Sequence, residues 1–306
     1  MKALVTGATG LVGRRLVQEL ERATVLGRDP TRARAILGDV TAFAWQPQSG
    51  PPCVEAFSGI DVVFHLAGEP VAEGRWTADK KRAIRESRVE GTRNLVNALR
   101  SSEKRPAVLV AASAVGYYGD RGDKELTEDS EPASDFLAEV CAAWEAEASK
   151  AAELGLRVVT ARTGIVLASD GGALARMLPP FRIGLGGHLG NGRQWMPWIH
   201  VDDVVGLLLH AASTETVRGP MNVVSPSPVT NRDFTRTLGR ALRRPAWLPV
   251  PRLGLQAVFG EMSQVLVASQ RVLPQVARDT GYRFRFEELR PALDSCLSKG
   301  AGPERE

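Results

Sequence analysis

The chain has 306 residues, 43% of them apolar and 24% charged, with a formal net charge of +4. That length holds one large α/β domain, or one plus a small lobe, with the apolar share of an ordinary globular protein. Acidic residues are spread among the basic ones with no known nucleic-acid module, and no apolar run reaches the ~18 residues of a membrane helix, so neither nucleic acid nor membrane is expected as a partner. Cys53, Cys141 and Cys296 are odd in number and widely separated, which gives no metal-ligand pattern and points to a reducing, cytoplasmic setting. The first residues run straight into a strand pattern, so no signal peptide is expected.

In chain order, Lys2 to Val5 reads as a strand and Leu11 to Glu21 as a helix. Thr24 to Leu26, Val40 to Trp45 and the apolar Asp61 to Leu66 read as further strands. Thr77 to Arg100 carries a helical period, with Ile84, Val89, Leu95, Val96 and Leu99 sharing one side. A strand at Ala107 to Ala112, a helix at Ser134 to Leu154 and a strand at Arg157 to Ala161 complete the alternation. Strands alternating with helices predict a Rossmann-type, doubly wound parallel α/β sheet. After about residue 165 the pattern loosens. Ala173 to Arg182 and the glycine-rich 184–192 interrupt it, and Trp198 to Ala212 is expected to return to the main sheet, with a helix capped by Asp202 or its neighbour. A strand at Met221 to Val224, a helix at Asn231 to Arg243 capped by Thr230 or Asn231, and a last strand near Tyr282 to Phe286 are expected. The reading is a dinucleotide-binding domain over 1–164 and about 194–220, a smaller C-terminal α/β lobe over about 165–193 and 221–297, and a disordered tail over 298–306.

The strongest motif is Thr6-Gly7-Ala8-Thr9-Gly10-Leu11-Val12-Gly13. Gly7 permits the sharp strand-to-helix turn, Gly10 lets backbone approach a pyrophosphate, and Gly13 lets the helix lie close to the sheet. The opening of the helix offers free N–H groups and a partial positive charge. The motif follows the first strand and opens an amphipathic helix, so Gly7, Thr9, Gly10, Leu11, Val12 and Gly13 are assigned to a dinucleotide. The second strand ends in Gly27-Arg28-Asp29-Pro30-Thr31-Arg32. Arg28, helped by Arg32, suits a 2′-phosphate, which selects NADP; an inward-facing Asp29 would admit NAD instead. At the third strand end, Ala44 and Trp45 lie where an adenine would sit, and Trp45 either packs on it or belongs to the core. At the fourth, Leu66-Ala67-Gly68-Glu69 lets backbone pass close to the cofactor and places Glu69 near a ribose hydroxyl. His65, inside an apolar strand, reads as structural.

These motifs, with Ala112-Ser113-Ala114-Val115-Gly116-Tyr117-Tyr118-Gly119, Arg162-Thr163-Gly164-Ile165-Val166-Leu167, Met177-Leu178-Pro179-Pro180-Phe181 and Trp198-Ile199-His200-Val201-Asp202-Asp203, resemble the extended short-chain dehydrogenase/reductases. More narrowly, the chain resembles their atypical epimerase-family branch, which includes the YfcH-type bacterial proteins and carries a C-terminal segment of unknown function. The resemblance covers nearly the whole chain to about residue 297. It implies an NADP-bound Rossmann fold, and by position it adds the turn near Arg75 and the loop at Ile165 and Val166 to the cofactor contacts. It also implies a catalytic serine, matched by Ser113, and a Tyr-x-x-x-Lys pair on the following helix, where a spacing of four puts both side chains on one face. That pair is missing: Leu137 and Cys141 stand in its places. Tyr117 and Tyr118, close behind Ser113, are the candidate proton donors, or else they pack the site wall; Cys141 reads as a buried small hydrophobe or a weak nucleophile.

Two functions fit. One is an NADP-dependent oxidoreductase or epimerase with a nonstandard acid, whose small-molecule substrate sits against Met177 to Phe181, Gly184 to Gly187, Gln194 and Trp195. The other is a non-catalytic NADP sensor or interaction protein. The resemblance also suggests a homodimer formed through the helices at Thr77 to Arg100 and Ser134 to Leu154.

Overall fold

The structure is a computed structural model that describes residues 1–298. Strand β1 (Lys2–Thr6) is followed by α1 (Leu11–Glu19), β2 (Arg22–Gly27), α2 (Pro30–Leu37), β3 (Thr41–Ala44), β4 (Val62–His65), α3 (Ala78–Ser101), β5 (Val108–Ala114), β6 (Glu125–Leu126), α4 (Phe136–Ser149) and β7 (Arg157–Thr163). Then come β8 (Ile165–Ala168), α5 (Gly172–Arg182), β9 (Trp195–Met196), β10 (Trp198–His200), α6 (Val201–Ser213), β11 (Gly219–Val223), β12 (Val229–Thr230) and α7 (Asn231–Leu242). Short helices α8 (Arg252–Phe259) and α9 (Ser263–Val267), β13 (Arg271–Val272), α10 (Gln275–Asp279) and α11 (Leu289–Ser298) end the described chain. Apart from Ser298, the expected tail lies outside the described residues.

Seven parallel strands form the central sheet in the order β11-β7-β5-β4-β1-β2-β3. The period-two alternation of strand side chains sorts the core into two layers. Ala3, Val5, Val62, Phe64, Val108 and Val110 face the layer that holds Leu16 of α1 and Val204 and Leu208 of α6. Leu4, Val63, Leu109 and Ala111 face the opposite layer, with Leu95 and Leu99 of α3 and Ala148 of α4. Helices therefore cover both faces, as the apolar strands require. Complete burial of one such side chain, Phe64, contributes about 1.5–3 kcal/mol. A third cluster, built on Trp198, Leu178, Phe181, Phe234 and Leu293, is the core of the smaller lobe.

Four details depart from the sequence reading. Trp198–His200 pairs with β8 instead of the main sheet; Ile199 and the helix that follows share the core cluster of that sheet without a strand pairing to it. β11 joins the main sheet beside β7, so 221–223 belong there and not to the lobe. Helix α6 is capped by His200, whose side chain accepts from Asp202 N, rather than by Asp202. Tyr282 to Phe286 is not a strand: the Asp203 carboxylate takes the backbone N–H groups of Arg285 and Phe286 and the Tyr282 hydroxyl. Backbone donors that a strand would give to a neighbour are satisfied by one buried side chain.

Candidate functional site

The strand order reverses about β1, whose neighbours β4 and β2 lead away in opposite directions. Crevices at such switch points, at the carboxyl ends of the strands, are where open α/β sheets bind ligands. The glycine loop sits there. Gly7 adopts φ +68°, and a Cβ on it would stand 2.8 Å from the Leu66 carbonyl. A Cβ on Gly13 would stand 2.3 Å from the Gly7 oxygen, whereas one on Gly10 would meet only that oxygen, at 3.2 Å, leaving its outer side open. Thr9 and Gly10 are exposed, and Leu11 and Val12 are partly buried. Helices α2, α3, α4, α6 and α7 all begin with a capping side chain, from Asp29, Thr77, Asp135, His200 and Thr230. Helix α1 begins at Gly10 with none; α5, α8, α9 and α10 also lack one, but α1 alone of these opens directly from the glycine turn after β1. Its first-turn N–H groups face the crevice without side-chain acceptors, which is the arrangement that suits a phosphate.

At the end of β2, Asp29 Oδ1 accepts from Arg32 N at 2.9 Å and caps α2. Arg28 is exposed and has no side-chain partner among the described residues. Ala44 is exposed at the end of β3, but Trp45 is 5% exposed in the core, with its indole Nε1 donating to Gly50 O, so adenine stacking on it is not available. On the other side of β1, the turn 66–69 is fixed by a hydroxyl. Thr6 Oγ1 accepts from Leu66 N and Ala67 N, so its own proton goes to His65 Nδ1 at 2.8 Å. His65 Nε2 then donates to Thr92 Oγ1 at 3.0 Å. Burial lowers the His65 pKa to about 4 and keeps the ring neutral, in keeping with its structural reading. Glu69 pairs with Lys80 at 2.6 Å, and its backbone N–H donates to Ser87 Oγ.

The far end of the crevice carries side-chain chemistry. Ser113, near the end of β5, donates to Glu145 Oε1 at 2.6 Å. Glu145, one helical turn beyond Cys141 on α4, is gripped by Arg162 of β7 through Nε at 2.9 Å and Nη2 at 2.8 Å. The Arg162 side chain is 4% exposed, and the bonds to Glu145 help hold its pKa above the usual arginine value against the opposing effect of burial. Its guanidinium lies 3.5 Å from the centre of the partly buried Tyr117 ring. Tyr118 does not fit the proton-donor role: it is fully buried, donates to Asn222 Oδ1 at 2.7 Å, accepts from Arg162, and burial raises its pKa to about 12. Cys141 is likewise a packed small residue, with burial pushing its thiol to about 12.

Loop 69–77 is tied to the smaller lobe. Arg75, expected at the cofactor, instead donates to the carbonyls of Ala257 and Val258 at the end of α8. Arg176 of α5 donates to Ala72 O, and Lys81 pairs with Glu261. Ile165 and Val166 on β8 are partly buried, and the following turn closes over α1: Arg15 bonds Asp170 at 3.2 Å, and Gly171 and Gly172 pack on Leu11. Much of the expected substrate wall is lobe interior. Leu178 and Phe181 are core, Gln194 donates to Leu189 O, and Trp195 bonds Asp123.

Sequence reading assigned no place in this crevice to Glu145, Arg162 or Arg88. Arg88 was marked by position, because it falls on the buried stripe of α3 at Ile84, Thr92, Leu95 and Leu99. Glu145 and Arg162 gave no local signal, because their partnership spans α4 and β7.

Sheet order, glycine turn and uncapped first helix together define a Rossmann-type α/β protein of the dinucleotide-binding class. Residues 3–224 match the NAD dependent epimerase/dehydratase family, and the chain belongs to it. Residues 250–296 match a domain of unknown function, DUF1731. The chain is 41% identical to the chloroplastic epimerase family protein SDR39U1 homolog of Arabidopsis thaliana, covering 97% of this chain and 87% of that protein. It is 37% identical to the epimerase family protein YfhF of Bacillus subtilis, over 97% and 98% of the two chains. Among solved structures, the human epimerase family protein SDR39U1 (isoform 2) with NADPH superposes with a TM-score of 0.86 at 35% identity, over 97% and 99% of the chains. The UDP-glucose 4-epimerase of Thermus thermophilus with NAD shares the fold, with a TM-score of 0.80 at 21% identity. No helix among the described residues is long and apolar enough to cross a membrane.

Proposed function

We propose that this protein is an NADP-dependent oxidoreductase acting on a hydroxyl or carbonyl carbon of a small molecule, with Ser113 and Glu145 handling the proton. The observation that carries this reading is the 2.6 Å bond from Ser113 to Glu145 across the crevice from the uncapped start of α1. The residues fit a dinucleotide: the open side of Gly10 and the bare α1 amides take the pyrophosphate, and Arg28 takes the 2′-phosphate while Asp29 is committed to its cap. The human relative, whose structure holds NADPH, supports the same choice.

When bound, the nicotinamide supplies hydride transfer. The chain's own groups manage the accompanying proton. In the oxidising direction the substrate hydroxyl gives its proton to Ser113 Oγ while Ser113 passes its own to Glu145. The carbon loses hydride, and the C–O single bond becomes a carbonyl. Reduction runs the same transfers backwards. Arg162 holds the carboxylate in line for this exchange and keeps it from turning away. A positioned acid/base of this kind contributes about 10²–10⁴-fold in rate, which is what the absent Tyr-x-x-x-Lys pair would otherwise supply. Three widely separated cysteines, an odd number with no metal-ligand spacing, support a cytoplasmic location.

The test is calorimetric titration of cofactor-free protein with NADP(H) and NAD(H), followed by a substrate screen on NADPH absorbance. Tighter NADP(H) binding is expected, and binding of neither dinucleotide would remove the reading. On any substrate found, Ser113→Ala should keep NADPH affinity and lose at least about a hundredfold in kcat; unchanged turnover would exclude the serine.

A further inference from the structure

One face of the smaller lobe is left uncovered by its own fold. Segments 183–190 and 245–252 run side by side there. Val250 N donates to His188 O at 2.8 Å and Gly190 N to Val250 O at 2.9 Å, and a Cβ on Gly184 would stand 3.4 Å from Pro245 Cγ. With the start of α8 these segments carry Ile183, Leu185, Trp247 and Leu253, which are 57% to 80% exposed. Helix α8 itself buries only Leu255. A lone exposed apolar side chain is ordinary, but four large ones on adjoining segments form a patch that calls for a cover.

The charge around the patch has one sign. Residues 171–201 and 234–260 contain eight arginines and no Asp or Glu. Arg182, Arg243, Arg244 and Arg252 are exposed and have no ion pair or side-chain hydrogen bond among the described residues. Elsewhere in the lobe Arg271, Arg285 and Arg290 are paired with Glu125, Asp202 and Asp294. Arg182 directly precedes Ile183, Arg243 and Arg244 precede Pro245, and the Arg252 side chain lies against Gly190, so the cations rim the apolar groups. Such high exposure marks side chains that project instead of lining a groove, which favours a soft lipid surface over a shape-matched protein. A bilayer with anionic headgroups answers both features, with phosphates for the guanidinium groups and an apolar layer just beneath for tryptophan and leucine.

We propose that this face docks on an anionic lipid bilayer, with Ile183, Leu185, Trp247 and Leu253 entering the headgroup region and the four arginines engaging lipid phosphates. No helix among the described residues is long and apolar enough to cross a membrane, and a peripheral contact of this kind needs none. The carbonyls of Ala257 and Val258 at the end of α8 accept from Arg75, so the docked face adjoins the loop at the rim of the crevice. Docking needs no cofactor and stands apart from the function proposed above.

The experiment floats the full-length chain with vesicles of phosphatidylcholine alone and of phosphatidylcholine mixed equally with phosphatidylglycerol. Binding to the mixed vesicles should exceed binding to phosphatidylcholine by about tenfold or more and weaken as salt is raised. Arg243→Glu with Arg244→Glu should weaken it about tenfold or more, and Trp247→Ser with Leu253→Ser should do the same. Arg22→Glu with Lys104→Glu makes the same charge change on exposed residues in β2 and before β5, and should leave most of the binding intact. All the substituted residues are exposed, so each variant should keep the wild-type midpoint in urea. A wild type that stays unbound with the mixed vesicles overturns the proposal and leaves the face to an acidic protein. Equal loss in the two charge-reversed pairs also overturns it, because net charge alone would then account for binding. Self-association without vesicles that Trp247→Ser with Leu253→Ser abolishes would assign the face to a second copy of the chain, and overturns it too.

Discussion

The two sides of the crevice are built in opposite ways. On the β1–β2 side the protein offers bare backbone: glycines, uncapped amides at the start of α1, and Arg28 without a side-chain partner among the described residues. On the β5–β7 side the polar groups are already joined to one another, Ser113 to Glu145, Glu145 to Arg162, Arg162 to Tyr118 and Tyr118 to Asn222. The first side is shaped to receive charge from a ligand, and the second to hold its own charges still. A change on the first side should therefore appear mainly in binding, and one on the second mainly in stability.

The strongest way to break that contrast is Glu145→Leu. It leaves Arg162, 4% exposed, without its carboxylate, and should cost about 3–5 kcal/mol of folding stability in urea denaturation. Adding Arg162→Met should recover part of the loss, and a double-mutant cycle without coupling would show that the pair is not a unit. The turn between the two sides gives a pH signature. Folded His65 stays neutral down to about pH 4, while the unfolded chain takes up the proton near pH 6.5. Its contribution is complete above about pH 6.5 and falls by about 3 kcal/mol as pH drops towards 4. His65→Asn should flatten that part of the stability profile, and an unchanged slope would assign it to other groups.

On the backbone side, Gly13→Ala forces a Cβ against the Gly7 oxygen. It should cost about 1–3 kcal/mol and abolish dinucleotide binding in the calorimeter. Arg28→Glu sharpens the comparison: stability should change by less than about 0.5 kcal/mol, while NADPH affinity drops about tenfold or more and the preference moves towards NADH. Retained NADPH preference would refute the role given to Arg28. Tyr118→Phe, which strips Asn222 Oδ1 of its donor, should cost about 1–2 kcal/mol of stability without altering NADPH affinity.

The backbone side was legible in the sequence because its information is local. Three glycines at fixed spacing, a strand before them and an apolar stripe after them state both the turn and the phosphate cradle. Arg28 next to Asp29 was legible too, but only the helix that starts at Pro30 showed which of the two is free. The side-chain side was not legible. Ser113 was found through its family motif, whereas Tyr118, equally prominent in that motif, turned out to be core. Trp45 and Arg75 also had the right chain positions and the wrong neighbours.

Local patterning thus specified the alternating strands, the helix-opening glycine turn and the absence of a tyrosine–lysine pair on α4. Period and turn geometry depend on residues a few positions apart, and a single sequence displays those. Tertiary packing alone decided that Glu145 meets both Ser113 and Arg162, that Arg88 lies against Gly68, and that β11 joins the edge of the sheet beside β7. Each of these joins elements distant along the chain, and burial sets their energies, because a charge removed from water is held in place only by whatever partner the fold brings to it.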